Sequence, residues 1–340
     1  MEQAERDAPL KQAWKRFAQY DHNAVRQQAK FHKLLLWLLA LGVLGTFLAV
    51  TRTQLELLLR EGRLEQRLAE PLIQVLHYPV LLAPIVVSVL LTAANRLKPG
   101  KKWVLLRGSA EAIKREIYSY RAQAGAYSAG QTEQPTREAL LAKRVEEISR
   151  RLMQTEVNMS ALRPYTGPIP PPGPSGGDGS DDGLSPLTPE QYVSSRIKDQ
   201  LGYFEKKVIR LERRLHQAQW AIYISGGVGT LLAALGQDMW VALTVTVGGV
   251  LGSYLGMYNI EDSLVVYNQA ATDLQNVRDW WAALSDEQRA EQENIDKLVS
   301  YSEKILEGEL AGWVQHMQDA LAELRDPQQN GSNRRTERTT

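Results

Sequence analysis

Four apolar stretches without a charged side chain constrain this chain more than any other feature. They cover residues 34–50, 78–94, 218–235 and 239–258. A helix needs roughly 17–25 apolar residues to cross the hydrocarbon core of a bilayer. The alternative, four helices buried in a soluble core, would need a very large protein shell to cover them. The stretches therefore predict an all-α membrane protein with two transmembrane helical hairpins in tandem.

Lysine and arginine residues are concentrated on one side of the predicted hairpins. Basic residues precede the first and third spans and follow the second span, whereas the turn at 236–238 has none. The positive-inside rule places such flanks in the cytoplasm. We therefore expect a multi-pass protein of the cell membrane with cytoplasmic N- and C-termini.

The polar parts of the chain divide it into modules. Residues 163–189 are rich in proline and glycine, which predicts a flexible linker. We expect a first two-span module at 1–162 and a second at 190–325. The polar tail at 326–340 is predicted to be disordered.

Matching residues at a constant offset suggest that the two modules arose by duplication. Tyr20, Val25 and Trp37 match Tyr203, Val208 and Trp220 at an offset of 183. Gly45-Thr46 and Leu48-Ala49 match Gly229-Thr230 and Leu232-Ala233 at an offset of 184. The outer turns differ, because the first hairpin has a long one at 51–77. Its leucines suggest an amphipathic extension lying near the outer interface.

The polar helices repeat apolar residues at steps of three and four, which is typical of helices packed side by side at a small angle. These coiled-coil-like seams fit either an intramolecular cytoplasmic bundle or an interface between subunits. Four seams are predicted: Trp103, Leu106, Ala110, Ile113, Ile117 and Tyr120; Leu141, Val145, Ile148, Leu152, Thr155, Met159 and Leu162; Ile197, Leu201, Phe204, Val208, Leu211 and Leu215; Leu306, Leu310, Trp313, Met317, Ala320 and Leu324.

No residue pattern predicts catalysis. The chain has no cysteine, its five histidines are scattered, and Gly226–Gly229 lies inside a span rather than after a strand. The acidic residues Glu303, Glu307 and Glu309 are interpreted as a solvated helix face. We therefore expect no enzyme, no metal and no cofactor, and the net charge of +1 predicts no nucleic-acid partner.

Small residues on the fourth span are the candidate functional residues. Gly248, Gly252 and Gly256 recur every four residues, and such ridges let membrane helices approach closely. This face could pack on the span's own hairpin partner, where Ser225 and Gly229 form a matching pair. It could instead pack between subunits around an opening. The nearest hydroxyls that could line such a pore are Thr244, Thr246 and Ser253.

No acidic or basic residue lies within any span. Coupled transporters and proton relays usually place such residues at the centre of the membrane. A secondary transporter is therefore disfavoured, and any conducting path would be weakly polar or hydrophobically gated.

Several polar segments resemble a known family. WVLLRGSAEAIKREIYSYRAQAGAYS, which starts at Trp103, is similar to the helix after the hairpin in the bacterial SLATT family, the SMODS-and-SLOG-associating two-transmembrane effector domains, and in its overlapping membrane relatives of unknown function. REALLAKRVEEISRRLMQTEVN and, in the second half, YNQAATDLQNVRDWWAALS fit the same pattern. The resemblance covers nearly everything except the extreme N-terminus, the linker and the tail, and it implies the tandem form.

The resemblance implies a membrane-acting effector in bacterial nucleotide-linked defence. We therefore expect an oligomeric pore or membrane-perturbing effector that is gated through its cytoplasmic helices. The alternative is a non-conducting scaffold that recruits a partner through those helices. The expected partners are the lipid bilayer, further copies of the chain and a cytoplasmic signalling protein acting in trans.

Overall fold

A computed structural model describes residues 2–128, 136–172 and 181–323, with only the backbone described at 2–7 and 309–323. Ten α-helices are present in these ranges, and no strand occurs in them. The predicted all-α class is confirmed. The helices are α1 Glu2–Arg60, α2 Gln66–Leu97, α3 Pro99–Arg121, α4 Arg137–Met153, α5 Pro189–Tyr192, α6 Lys198–Ala234, α7 Asp238–Tyr258, α8 Ile260–Ala283, α9 Asp286–Ala290 and α10 Gln292–Glu323. A π-helical turn at Val193–Ile197 joins α5 to α6.

The helices form two compact units that do not follow the predicted modules. The first, here called the polar unit, contains the described residues within Met1–Gln28, Gly100–Leu211 and Asp262–Asp319. The second, here called the membrane unit, contains those within Ala29–Pro99, Glu212–Glu261 and Ala320–Thr340. Each unit takes residues from both halves of the chain, so the boundary that we expected at 163–189 does not separate them. The predicted tail at 326–340 lies outside the described residues.

Apolar seams form the core of the polar unit. On α3, Trp103, Leu106, Ala110, Ile113 and Ile117 are buried. On α6 and the turn before it, Ile197, Leu201, Phe204 and Leu211 are buried as well. Their burial within one chain shows intramolecular packing, which was one of the two interpretations of the seams.

The second predicted seam ends earlier than its pattern suggested. Helix α4 stops at Met153, and a short 3-10 turn covers Glu156–Met159. Val157 is fully buried in that turn, whereas Met159 is 83 % exposed. The Thr155 hydroxyl accepts a hydrogen bond from the Val157 amide, and this local bond competes with continuation of the helix.

The membrane unit exposes the apolar stretches. Of the described chain, three helical segments are long and apolar enough to cross a membrane: Ala8–Arg60, Gln66–Arg121 and Asp238–Ala283. Most of the exposed large apolar side chains in the described ranges lie in this unit. Such a surface would be unfavourable in water, which supports a membrane protein.

The third predicted span does not belong to these three segments. Residues 218–234 are the C-terminal part of α6, where Gln219, Ser225, Thr230 and three glycines dilute the apolar residues. Four crossings therefore remain a prediction.

The outer turn of the first hairpin differs from the expected interfacial extension. Helix α1 continues to Arg60 and α2 begins at Gln66, so most of 51–77 prolongs the two helices. No glycine or proline interrupts the chain between Phe47 and Arg60, and nothing there ends the helix.

The second helix of each hairpin ends in the same way. Lys98 has φ 47° and its amide donates to Ala94 O, while Asn259 has φ 45° and its amide donates to the carbonyls of Leu255 and Gly256. A left-handed residue at this position ends an α-helix. The chain starts a new helix at the next residue in both cases, at Pro99 and at Ile260.

Candidate functional site

Close contacts between small residues join α6 and α7 into a hairpin. A methyl group on Gly229 would lie 2.6 Å from Thr244 Oγ1, and one on Gly248 would lie 3.5 Å from Ser225 Oγ. The turn between the helices requires φ +69° at Gly236, a conformation that suits glycine. The pair of Ser225 and Gly229 therefore packs on α7 within its own hairpin.

Helix α7 also packs antiparallel to α1. The rings of His32 and Tyr258 lie 5.0 Å apart, and those of Phe47 and Trp240 lie 6.2 Å apart. Between these contacts, the hydroxyl oxygens of Thr46 and Thr246 are 3.4 Å apart. Helix α1 also meets α2, where a methyl group on Gly45 would lie 3.4 Å from Ala83 Cβ. Contacts therefore link α2 to α1, α1 to α7 and α7 to α6.

The predicted small residues of α7 divide between packed and open positions. Gly248 and Thr244 face α6, and Thr246 lies beside Thr46 of α1. A methyl group added at Gly249, Gly252 or Gly256 would have no atom of another side chain or helix within 4 Å. Ser253 is exposed. In one chain, therefore, only part of the ridge packs against neighbouring helices.

The candidate pore-lining hydroxyls are bonded to the backbone of their own helix. Thr244 Oγ1 donates to Val241 O and Thr246 Oγ1 donates to Ala242 O, both at 2.8 Å. Such bonds satisfy the hydroxyl hydrogen but leave oxygen lone pairs available. Whether these residues line a conducting path stays a prediction.

A buried ion pair lies in the polar unit, at a position that the sequence analysis missed. Arg196 Nε donates to Glu303 Oε1 at 2.9 Å, and Arg196 Nη2 donates to Glu303 Oε2 at 2.8 Å. The Tyr192 hydroxyl also donates to Glu303 Oε1 at 2.9 Å. The guanidinium carbon lies 4.6 Å from the centre of the Tyr118 ring. These four residues are here called the Arg196 cluster.

The Arg196 cluster contradicts the interpretation of Glu303 as solvated. Glu303 is only 3 % exposed. A signal was present, because Val299, Glu303 and Leu306 continue the steps of four and three that define the last seam. Glu307 agrees better with the expected solvated face, since it is exposed and forms an ion pair with Arg115. The side chain of Glu309 lies outside the described residues.

Burial and charge act in opposite directions within the Arg196 cluster. Burial would lower the pKa of Arg196, but the charge of Glu303 and its hydrogen bonds raise it. Burial, together with Glu303, raises the pKa of Tyr192 as well. Arg196 therefore stays charged at neutral pH. Arg196 Nη1 is buried and has no hydrogen-bond partner.

The predicted flexible linker is anchored at both of its described ends. Asn23 Nδ2 donates to Arg163 O at 2.8 Å, and the Arg163 amide donates back to Asn23 Oδ1 at 3.0 Å. At the other end, Trp14 Nε1 donates to Gly183 O at 2.7 Å. A freely flexible segment was expected, but its ends are bound to α1.

Arg121 at the end of α3 holds the second end in place. Its side chain is 1 % exposed, donates to Ser185 O at 2.9 Å and forms a bidentate pair with Asp181. The Leu187 amide donates to Arg121 O at 2.8 Å. Residues 181–187 are therefore part of the polar unit.

The residues that the structure describes contain no group of three or more histidines, aspartates or glutamates that could hold a metal ion.

Comparison with known families agrees with this architecture. Residues 192–313 match the model of SMODS and SLOG-associating 2TM effector domain 1. These residues include both α6 and α7. Residues 192–313 therefore belong to the SLATT family.

Residues 16–135, which contain the first hairpin, match a second model, that of a protein family of unknown function, DUF4231. The resemblance expected from the sequence is thereby confirmed, and each half of the chain matches a separate family model. No curated protein and no solved structure matches the chain significantly.

Proposed function

We propose that this protein is a membrane effector that assembles from several copies and makes the bilayer permeable. The match of residues 192–313 to a two-transmembrane effector domain carries the proposal. The resemblance to that family also implies the context, a defence system in which a nucleotide-linked partner activates a membrane protein. The proposed activity requires no catalytic residue and no cofactor.

The membrane unit supports assembly through α7. Within one chain this helix uses Gly248 and Thr244 against α6 and Thr246 against α1. Its remaining small face, which includes Gly249, Gly252 and Gly256, is open. Lipid tails do not drive helices together, so close backbone approach along such a face is a favourable basis for contact with a second copy.

The polar unit supports gating from the cytoplasmic side, where the positive-inside rule places it. Helices α1 and α6 each contribute residues to both units. A partner that repacked the polar unit would therefore act on helices that also supply the spans.

Both halves of the chain contain a hairpin followed by a polar helix, which agrees with a tandem duplication.

Release of dye and ions from liposomes that contain the purified full-length protein tests the proposal. Gly252→Leu is the critical variant, because a methyl group added at Gly252 meets no atom of the same chain within 4 Å, whereas a leucine there would block close approach of another copy. We expect release from the unmodified protein and at least tenfold slower release from the variant. Gly226→Leu, at an exposed position of α6 where an added methyl group also meets no atom within 4 Å, is the matched control.

The second candidate is a non-conducting scaffold that recruits a partner through the polar unit. The anchored ends of 163–189 favour it, because both ends are hydrogen-bonded to side chains of α1 and so hold the segment on the polar unit. Two results together would support the scaffold over the pore: liposomes with the unmodified protein release neither dye nor ions, and a soluble partner still binds the Gly252→Leu variant.

A further inference from the structure

A short motif of two basic residues and a tryptophan occurs at the start of both hairpins. In the first half, Lys30, Lys33 and Trp37 are spaced by three and four residues on α1. In the second, Arg213, His216 and Trp220 have the same spacing on α6 at an offset of 183. Residues spaced in this way share one face of a helix.

Both motifs are on the surface of the membrane unit. The four basic-type side chains are exposed, and Trp37 and Trp220 are 54 % and 66 % exposed. Each tryptophan lies in the first turn of its apolar stretch, with the basic residues one and two turns before it. An exposed tryptophan one turn below polar, basic-type side chains is the arrangement that spans the boundary between headgroups and hydrocarbon.

The helix contacts bring the two motifs to the same end of the membrane unit. His32 meets Tyr258 at the end of α7. The antiparallel α6–α7 hairpin, aligned by the contact of Ser225 with Gly248, places the beginning of the α6 apolar stretch level with that same end. The motifs therefore face one leaflet.

The charge of the two ends of the unit differs. The end that carries the motifs also carries Arg96, Lys98 and Arg214, against the acidic residues Glu212 and Glu261. At the far end of the first hairpin, acids and bases balance: Arg52, Arg60, Arg63 and Arg67 stand with Glu56, Glu61, Glu65 and Glu70. Only the first end offers an excess of positive charge.

We propose that Lys30, Lys33 and Trp37, and separately Arg213, His216 and Trp220, form two binding sites for the headgroups of anionic phospholipids. In each site the cations bind the lipid phosphate and the indole lies at the level of the glycerol backbone. The sites bind lipid whether or not the protein conducts, so this proposal stands independently of pore formation.

Native mass spectrometry of the full-length protein, titrated in detergent with phosphatidylglycerol or phosphatidylcholine, tests the proposal at neutral pH. Each lysine or arginine near an anionic lipid surface contributes a factor of about five in affinity. Lys30→Gln with Lys33→Gln should therefore weaken phosphatidylglycerol binding about 25-fold at one site, and Arg213→Gln with His216→Gln about fivefold at the other. Phosphatidylcholine binding should change little.

Arg60→Gln with Arg67→Gln is the control, because it removes the same charge from exposed positions at the far end of the first hairpin. Lys30→Arg with Lys33→Arg should keep full binding and shows that the fold tolerates changes there. Equal losses in the control and the site variants would overturn the proposal, as would unchanged binding in both site variants. Displacement of phosphatidylglycerol by millimolar inorganic phosphate would assign the sites to a free anion and also overturn it.

Discussion

Arg196 and Glu303 form a bidentate ion pair in which the two side chains are only 3 % and 4 % exposed. The pair joins the π-helical turn before α6 to α10. Because both charges are buried away from water, the desolvation cost of each one is offset only by the other. Breaking the pair from one side should therefore be far more costly than removing both charges.

Arg196→Met should lower the free energy of unfolding by about 3–5 kcal/mol, because it leaves the Glu303 carboxylate buried without its cation. Arg196→Met combined with Glu303→Gln should recover most of that loss, since glutamine still offers an oxygen to the Tyr192 hydroxyl. Chemical unfolding followed by circular dichroism measures the free energy of unfolding of the single and the double variant. Arg278→Met, which breaks the exposed pair with Asp279, is the control and should change stability by less than about 1 kcal/mol. Equal effects of Arg196→Met and Arg278→Met would contradict the interpretation.

Asn23→Leu should release the beginning of the segment at 163–172 from α1. The variant removes both bonds to Arg163, each worth about 0.5–1.5 kcal/mol, with little change in side-chain volume. Hydrogen exchange of peptides that cover 161–172 should become at least several-fold faster. Asn158→Leu, at an exposed position, should leave this exchange unchanged. Unaltered exchange in Asn23→Leu would show that other contacts hold the segment.

Gly229→Leu and Gly252→Leu should separate packing within the hairpin from packing between copies. In the first variant, the Cβ at position 229 would lie only 2.6 Å from Thr244 Oγ1. This variant should therefore lower the thermal unfolding midpoint of the protein in detergent. At Gly252 an added Cβ meets no atom within 4 Å, so the second variant should leave the midpoint unchanged. Light scattering would then report whether Gly252→Leu reduces the number of copies in the assembly. A large loss of stability in Gly252→Leu would be inconsistent with an open face.

Acidification should weaken the attachment of residues 181–187. Burial would raise the pKa of Asp181, but the hydrogen bonds from Arg121 and the Gly183 amide lower it. Hydrogen bonds from Ser185 lower the pKa of Asp182 to about 2 from its ordinary 3.8. Both folded-state pKa values lie below the unfolded ones, so the stabilisation is complete above pH 3.8 and is lost as the pH falls to about 2.

Thermal unfolding between pH 5 and pH 2 measures this loss. The double variant Asp181→Asn and Asp182→Asn should be less stable at pH 5 and should show a flatter decline towards pH 2. The same slope in the variant and the unmodified protein would assign the acid sensitivity to other carboxylates.

Much of the helical architecture could be predicted because its signals are local. The charge-free stretches lie within α1, α2, α6 and α7, and the steps of three and four identified Ile113, Ile117 and Phe204 as core residues. The predictions were less successful where competing local bonds decided the outcome. Helix α4 ended at Met153 because Thr155 bonds the next turn, and Met159 consequently left the seam.

The polar bonds could not be predicted because their partners are far apart in the sequence. Arg196 and Glu303 are separated by 107 positions, and Asn23 and Arg163 by 140. The described residues 163–172 and 181–188 form no helix, in agreement with their content of proline and glycine. Composition could not show that Asn23, Trp14 and Arg121 would supply hydrogen-bond partners for their backbone.

The sequence by itself determined that the chain is helical and enters a membrane, since length, apolarity and period are properties of contiguous residues. The tertiary structure decided which faces meet. It grouped the polar helices of both halves into one unit, set α1 against α7 and left Gly252 and Gly256 open. The physical reason is that burial of a charge such as Glu303, or exposure of a glycine, depends on what distant segments bring to the same place.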